Sequence, residues 1–291
     1  MESELSFERY LNSMKHSALT IKAYLYTIEI FLSLNPNADS FTHKDVLNYL
    51  EDNNANLNSH GSKNRVLSAI KKYFDYLIEI GKRKTHPCRN LFIKGRIKSD
   101  VIHYDLFTSE ELELLMTREE RYEDLKLRNQ VAISLLIYQG LTSAEILNLK
   151  IKHINMDSGK IYIKESNRLT RRHLDLLPKQ YRLIDRYIYD LRPKLLQCET
   201  DFLLVNKLGN PMTVDDLQYL VSTFKCLFPT RNLNPKTIRQ SVIANWLNEK
   251  KFPLEQVQLM AGHKWISTTI LYRHTSLEEQ RNMINKFHPI A

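Results

Sequence analysis

Four side chains in the last fifth of this chain have the types and spacing to act together on an anion. Lys236 and Arg239 stand three residues apart in NPKTIRQSVIANWL, His263 follows a glycine in LMAGHKW, and Tyr272 closes TTILY nine residues later. Lysine, arginine and histidine are cationic hydrogen-bond donors, and a guanidinium offers a planar fork that grips two oxygens of one anion. A tyrosine hydroxyl completes the set. No carboxylate or His/Cys cluster with metal-ligand spacing accompanies them, so cations rather than a metal would have to neutralise developing charge. Neither a metal nor an organic cofactor is expected.

The rest of the composition suits that chemistry. The chain has 291 residues with 42 Lys+Arg against 33 Asp+Glu, a formal net charge of +9. Such an excess favours an acidic partner, nucleic acid or an anionic membrane surface. Seven Gly and nine Pro exclude a collagen-like or low-complexity chain. Cys88, Cys198 and Cys226 are odd in number and far apart, which excludes a disulfide framework and fits a reducing, cytoplasmic compartment. No apolar run approaches the roughly 20 residues that span a bilayer, and MESELSFERY lacks the pattern of a secretory leader.

The elements that must position these residues read as mainly helical, in two domains. Residues 1–95 show helices at 5–15, 20–34, 42–53 (Thr42 as N-cap, Asp45 three on) and 62–80, a small helical bundle. Between Gly61 and Asp105 stand eleven Lys/Arg against four acids, and residues 96–106 read as a basic linker. The second domain, 107–291, opens with helices at 109–118, 123–139 and 143–149. A small antiparallel β-sheet follows, with strands at 154–156, 160–164 and 171–176. Helices resume at 179–196, 213–227, 235–249, 254–261 and 276–285, the last opening on the capping box Thr275-Ser-Leu-Glu278.

Taken in order, YQGLTSAEILNLK, the hairpin KIYIKESNRLTRRHLDL, Lys236-Thr-Ile-Arg239, Gly262-His263 and Thr268-Thr269-Ile-Leu-Tyr272 resemble the tyrosine recombinases, the phage-type integrases and Xer-type recombinases. HSALTIKAYLYTI and KNRVLSAIKKYFDYLI extend the resemblance to that family's core-binding, SAM-like domain. The resemblance implies a two-domain C-shaped clamp on double-stranded DNA, assembled as a dimer to tetramer. It implies that Tyr272 attacks a phosphodiester, forms a 3′-phosphotyrosyl link and expels a 5′-hydroxyl. Arg239 would clamp the phosphate, His263 would donate to a non-bridging oxygen, and Lys236 would stand where the family usually has histidine. Lys22, Lys63, Arg65, Lys71, Lys72, Lys94 and Arg96 would track the DNA backbone, and the C-terminal helix would dock into a neighbouring protomer.

Two positions depart from the family pattern. Its first arginine belongs directly after Gly140-Leu141, where Thr142 stands, and its hairpin lysine belongs near Ser166. Lys164 and Arg168 flank that position and would face the same way if the strand stayed regular. Either would then substitute for a missing cation, Arg168 better because of its fork. The departures favour an integrase or transposase of a mobile element over a chromosome-dimer resolvase. They also leave open a recombinase-derived DNA-binding protein with lost or weak cleavage, or, less specifically, a basic helical protein unrelated to DNA.

Overall fold

Serine and threonine hydroxyls start several of the helices, because each can accept a hydrogen bond from one of the backbone N–H groups that a first turn leaves without a partner. The computed structural model describes residues 6–51, 59–93, 106–117 and 123–273. The chain divides into two compact units, residues 1–98 and 99–291.

In the first unit Ser6 caps α1 (Phe7–Ser13), Ser17 caps α2 (Ala18–Leu34) and Ser59 caps α4 (His60–Glu79). At the start of α3 (His43–Glu51) the Thr42 backbone N–H and hydroxyl both donate to the Asp45 carboxylate, as the Thr42/Asp45 spacing predicts. The apolar stripes of α2, α3 and α4 meet in a core around Phe31, Val46, Leu50, Ile70, Phe74 and Leu77, and α1 packs Tyr10 and Leu11 with Ile21 in a smaller cluster beside it. Each expected helix is present within a few residues of its predicted bounds. Residues 52–58 and 94–105 lie outside the described residues, so the end of the third helix and the basic linker with Lys94 and Arg96 are not described.

The second unit opens with α5 (Ser109–Glu113), α6 (Glu123–Gln139) and α7 (Ser143–Leu147). Three short antiparallel strands follow in the order β1 (Ile154–Asn155), β2 (Lys160–Ile163), β3 (Arg172–Asp175). Their register pairs Ile161 with Leu174 and Ile163 with Arg172, so Arg172 lies on the buried face of the sheet. Then come α8 (Pro178–Arg186), α9 (Arg192–Leu195), α10 (Val214–Ser222), α11 (Pro235–Asn248), α12 (Leu254–Ala261) and α13 (Ile266–Ile270). From Pro235 to Leu247 every residue of α11 except Lys236 is buried. A helix covered on all sides is the centre of its domain, and its polar residues must find partners inside. Ser241 and Asn245 bind the backbone N–H and carbonyl of Phe107, which fixes where the domain begins.

Three expectations need correction. The single helix expected over 179–196 is broken by a π-turn at Tyr187–Leu191 before α9. Pro193 has no N–H and its ring crowds the carbonyl four residues back, so the helix widens there. Strand β2 stops at Ile163, and residues 166–169 form a turn closed from Ser166 N–H to the Leu169 carbonyl. The regular alternation that would align Lys164, Ser166 and Arg168 therefore does not extend past Ile163. Finally, α13 was not anticipated, while the helix expected at 276–285 lies outside the described residues. Among the described residues no helix is long and apolar enough to cross a membrane.

Two buried glutamines tie the sheet to the helices around it. Gln139 and Gln180 exchange amide hydrogen bonds at 2.8 and 2.7 Å, and Gln139 also donates to the Asp175 carbonyl. Replacing Gln180 by Leu leaves the Gln139 amide and the Leu177 N–H with lost partners in a dry site. The expected cost is about 1–3 kcal/mol, read as a shift in denaturant unfolding by the fluorescence of Trp246 and Trp265, the only two tryptophans, both in this unit.

Candidate active site

The site is organised around the carboxylate of Glu145. Thr142 caps α7 and Glu145 answers it in a capping box, so Glu145 Oε2 accepts from both the Thr142 N–H and the Thr142 hydroxyl at 2.9 Å. Its other oxygen, Oε1, accepts from Arg172 Nη1 at 2.6 Å. Arg239 Nη1 lies 3.6 Å from Oε2. One buried carboxylate thus carries two guanidiniums, one from β3 and one from α11. Burial would raise the Glu145 pKa, but the Arg172 hydrogen bond, both arginine charges and the Thr142 N–H outweigh it and hold the carboxyl below its ordinary value.

Each guanidinium is further fixed by backbone carbonyls. Arg239 donates to Gly140 O, just past α6, and at 2.7 Å to Ala261 O, the last residue of α12. Arg172 Nε donates to Met260 O at 2.8 Å. Its Nη2 is buried and has no hydrogen-bond partner among the described residues. Gly262, at φ +71°, ends α12 beside this group; a Cβ there would lie 2.5 Å from Arg172 Nη1 and 2.9 Å from Cζ. Only glycine suits both the left-handed backbone and the close approach.

The turn after Gly262 brings in the remaining groups. Thr170 N–H donates to the Gly262 carbonyl and Leu169 pairs with His263 in a β-bridge, so the hairpin is stitched to this loop. His263 Nδ1 is 2.9 Å from the Thr269 hydroxyl of α13. Its ring stacks on Tyr272, with centroids 5.9 Å apart and planes 18° from parallel. Asn248 of α11 donates to the Tyr272 carbonyl at 2.9 Å. Tyr272, His263, Arg239 and Arg172 are all 7–8 % exposed, so the site is closed to solvent. Burial, then the charges of Arg239 and Arg172, push the His263 pKa down to about 4, which makes the imidazole neutral at neutral pH.

Arg239, His263 and Tyr272 therefore come together, as their spacing predicts. Lys236 is exposed on the first turn of α11, one turn before Arg239. Arg168 is exposed in the 166–169 turn. Lys164 is exposed and lines, with Thr142, Glu145, Lys150, Lys152 and Ser166, a cleft of about 500 Å³ on the outer side of the capping box. In the first unit Lys22 and Arg65 are exposed, Lys63 is half-buried, Lys71 Nζ sits 4.5 Å over the Phe92 ring, and Lys72 pairs with Asp75 at 3.2 Å. Glu145 and Arg172 escaped the sequence reading. The T-x-x-E box marks the first. The alternation of Leu174 and Leu176 back along RRHLDL marks the second, because it puts Arg172 on the core face.

Comparison with known proteins returns one family over both units. The phage integrase family model matches residues 105–279, and the N-terminal SAM-like domain of phage integrases matches residues 5–81. The tyrosine recombinase XerC of Staphylococcus epidermidis is 26% identical over 255 residues, 87% of this chain and 84% of that protein. That of Lactobacillus delbrueckii subsp. bulgaricus is 27% identical over 290 residues, 96% of each chain. Among solved structures, XerH bound to a palindromic difH substrate in a post-cleavage complex superposes with a TM-score of 0.72 at 19% identity, over 96% of this chain and 82% of that one. The Tn1549 transposon integrase with transposon right-end DNA gives 0.65 at 16% identity, over 96% and 98%.

The buried imidazole has a consequence for stability. Its folded pKa of about 4 lies below the ordinary 6.5, so the unfolded chain takes up the proton first. The stabilisation is complete above pH 6.5 and is lost as pH falls from there toward 4. Thermal melts across that window should show the parent chain losing more stability than His263→Gln, since carboxylate titration is common to both. Parallel curves would contradict a buried neutral His263.

Proposed function

The chain belongs to the phage integrase family, and from that premise we propose that it is a site-specific DNA recombinase, an integrase or transposase of a mobile element. It would act on double-stranded DNA as a dimer to tetramer. The reading is carried by the closed cluster in which Tyr272 stacks on His263 while Arg239 and Arg172 share Glu145. In the reaction the Tyr272 phenolic oxygen bonds to phosphorus as the bond from phosphorus to the 5′-oxygen breaks. The phenol passes its proton to water, His263 donates to a non-bridging oxygen, and the departing 5′-oxygen takes a proton from a cationic donor, for which Lys236, one turn before Arg239, is the candidate. The phosphodiester energy stays in the 3′-phosphotyrosyl link, so religation needs no nucleotide. Arginine forks stabilise the pentavalent transition state, which gathers charge on its non-bridging oxygens.

A second reading, a recombinase-derived protein that binds DNA with weak or no cleavage, draws on Thr142. Its hydroxyl is committed to the capping box and carries no charge. One experiment separates the two. A duplex selected by the protein from a randomised pool is nicked next to the bound site, so that cleavage traps the covalent complex, and adducts are read on a denaturing gel. The recombinase reading expects a metal-independent adduct that Tyr272→Phe abolishes while binding persists. An adduct surviving Tyr272→Phe, or none with the parent chain, overturns it.

Binding supplies a further prediction. If the basic face of α4 tracks phosphates, affinity falls with salt at a log–log slope of about −0.9 per phosphate neutralised. Charge reversal at Lys63 and Lys71 should weaken specific and non-specific binding alike, because phosphate contacts position without specifying. Lys72 should matter less, since Asp75 already engages it. Salt-independent affinity in filter binding would contradict this.

A further inference from the structure

We propose that Arg172 is a catalytic residue, supplying the phosphate-binding guanidinium that position 142 lacks; this rests on the recombinase reading of the same site. Thr142 cannot serve, because its hydroxyl and N–H are both spent on Glu145. Arg172 arrives at the same carboxylate from the opposite side, off β3, and lies beside Arg239. The two arginines are thus held as a pair by one anion, which fixes the spacing of two forks around a common centre.

Three observations favour a ligand over a merely structural role. First, Arg172 Nη2 is a buried charged donor with no acceptor among the described residues. Such groups are rare in folded proteins and costly to keep, and a phosphate oxygen is the acceptor this one lacks. Second, the buried charges do not balance. Arg172 and Arg239 carry two positive charges, Glu145 one negative, and His263 is neutral. Among the described residues the centre is short of one anion, and a phosphodiester brings one. Third, the space is shaped for the guanidinium, because any side chain at position 262 would collide with it.

The other hairpin cations lack these features. Arg168 and Lys164 are exposed beyond the end of β2, and Arg171 is exposed on the opposite face of the pleat from Arg172. Arg172 Nη2 and Tyr272 are closed off together. Tyr272 is held in place by the Asn248 hydrogen bond to its carbonyl, and its stacking partner His263 by the Thr269 hydroxyl.

The test is single-turnover adduct formation on the selected, nicked duplex, with either a normal phosphodiester or a neutral methylphosphonate at the scissile position. Arg172→Lys keeps a charge for Glu145 but loses the fork, and it should cleave the normal substrate slower by about 10³-fold or more. Arg172→Ala should do the same, its folding checked by tryptophan fluorescence. Thr142→Arg in the Arg172→Lys background should restore part of the rate. On the methylphosphonate, where the charge to be neutralised is gone, the loss should shrink to about tenfold or less. Arg172→Lys at the parent rate, or an equal loss on both substrates, overturns the proposal. If the parent chain forms no adduct on any duplex, the recombinase reading fails on its own, and inorganic phosphate then decides the inference. Phosphate should raise the melting temperature of the parent chain and of Tyr272→Phe but not of Arg172→Lys, and equal shifts in all three overturn it.

Discussion

A single buried carboxylate sets the geometry of this protein's second unit. Glu145 and Arg172 are each 6 % exposed at their side chains and 2.6 Å apart. Removing one partner of such a pair strands the other's charge in a dry interior at a cost of about 3–5 kcal/mol. Yet a buried ion pair is a poor way to gain stability, since apolar residues of equal volume often do as well. Its value lies in position. Glu145 sits at the start of α7, Arg172 on β3 and Arg239 on α11, so the carboxylate fixes three elements that are far apart in the chain. The carbonyls of Gly140, Met260 and Ala261 complete the shell from two helix ends. Helix C-termini carry partial negative charge, which offsets part of the excess positive charge that the two guanidiniums hold over Glu145.

Most of the fold was legible because its rules are local. Ser17, Ser59 and Thr108 announce helix starts, and apolar spacing of three and four marks the faces of α2 and α4. Helix α12 lies where its pattern put it. The failures came where tertiary contacts decide. The π-turn before α9 follows from Pro193 acting inside an otherwise convincing helical stretch. The five residues of α13 are too few to show a period. They are held by the Thr269 hydroxyl on His263 and by capture of the Tyr272 backbone from α11.

The site was legible in part for the same reason. Arg239, His263 and Tyr272 sit at fixed spacing within two short stretches, so their meeting could be expected. Arg172 could not be found from the alternation that relates Lys164, Ser166 and Arg168, because the turn at 166–169 ends it. Alternation read backward from Leu174 would have placed Arg172 on the core face. A lone cation among inward-facing apolar residues signals a buried partner. The partner was visible too, as the last residue of the box T-S-A-E, but a capping box predicts a helix start and says nothing of what the free carboxylate oxygen will bind.

Thr142 suits its place in the fold as the N-cap of α7. At a helix N-cap a threonine is a better residue than arginine, because it satisfies an N–H of the first turn directly. A threonine there supplies no positive charge to the site. What remains is a carboxylate with an oxygen available to a guanidinium from elsewhere, and a glycine beside it that leaves room for one. The neutrality of His263 follows first from its burial and then from the same charges, since two nearby guanidiniums make a third positive group expensive. Its place in the cluster is that of a hydrogen-bonding partner of Thr269 and a stacking partner of Tyr272, while the positive charge is concentrated on the two arginines, whose fork geometry matches an anion.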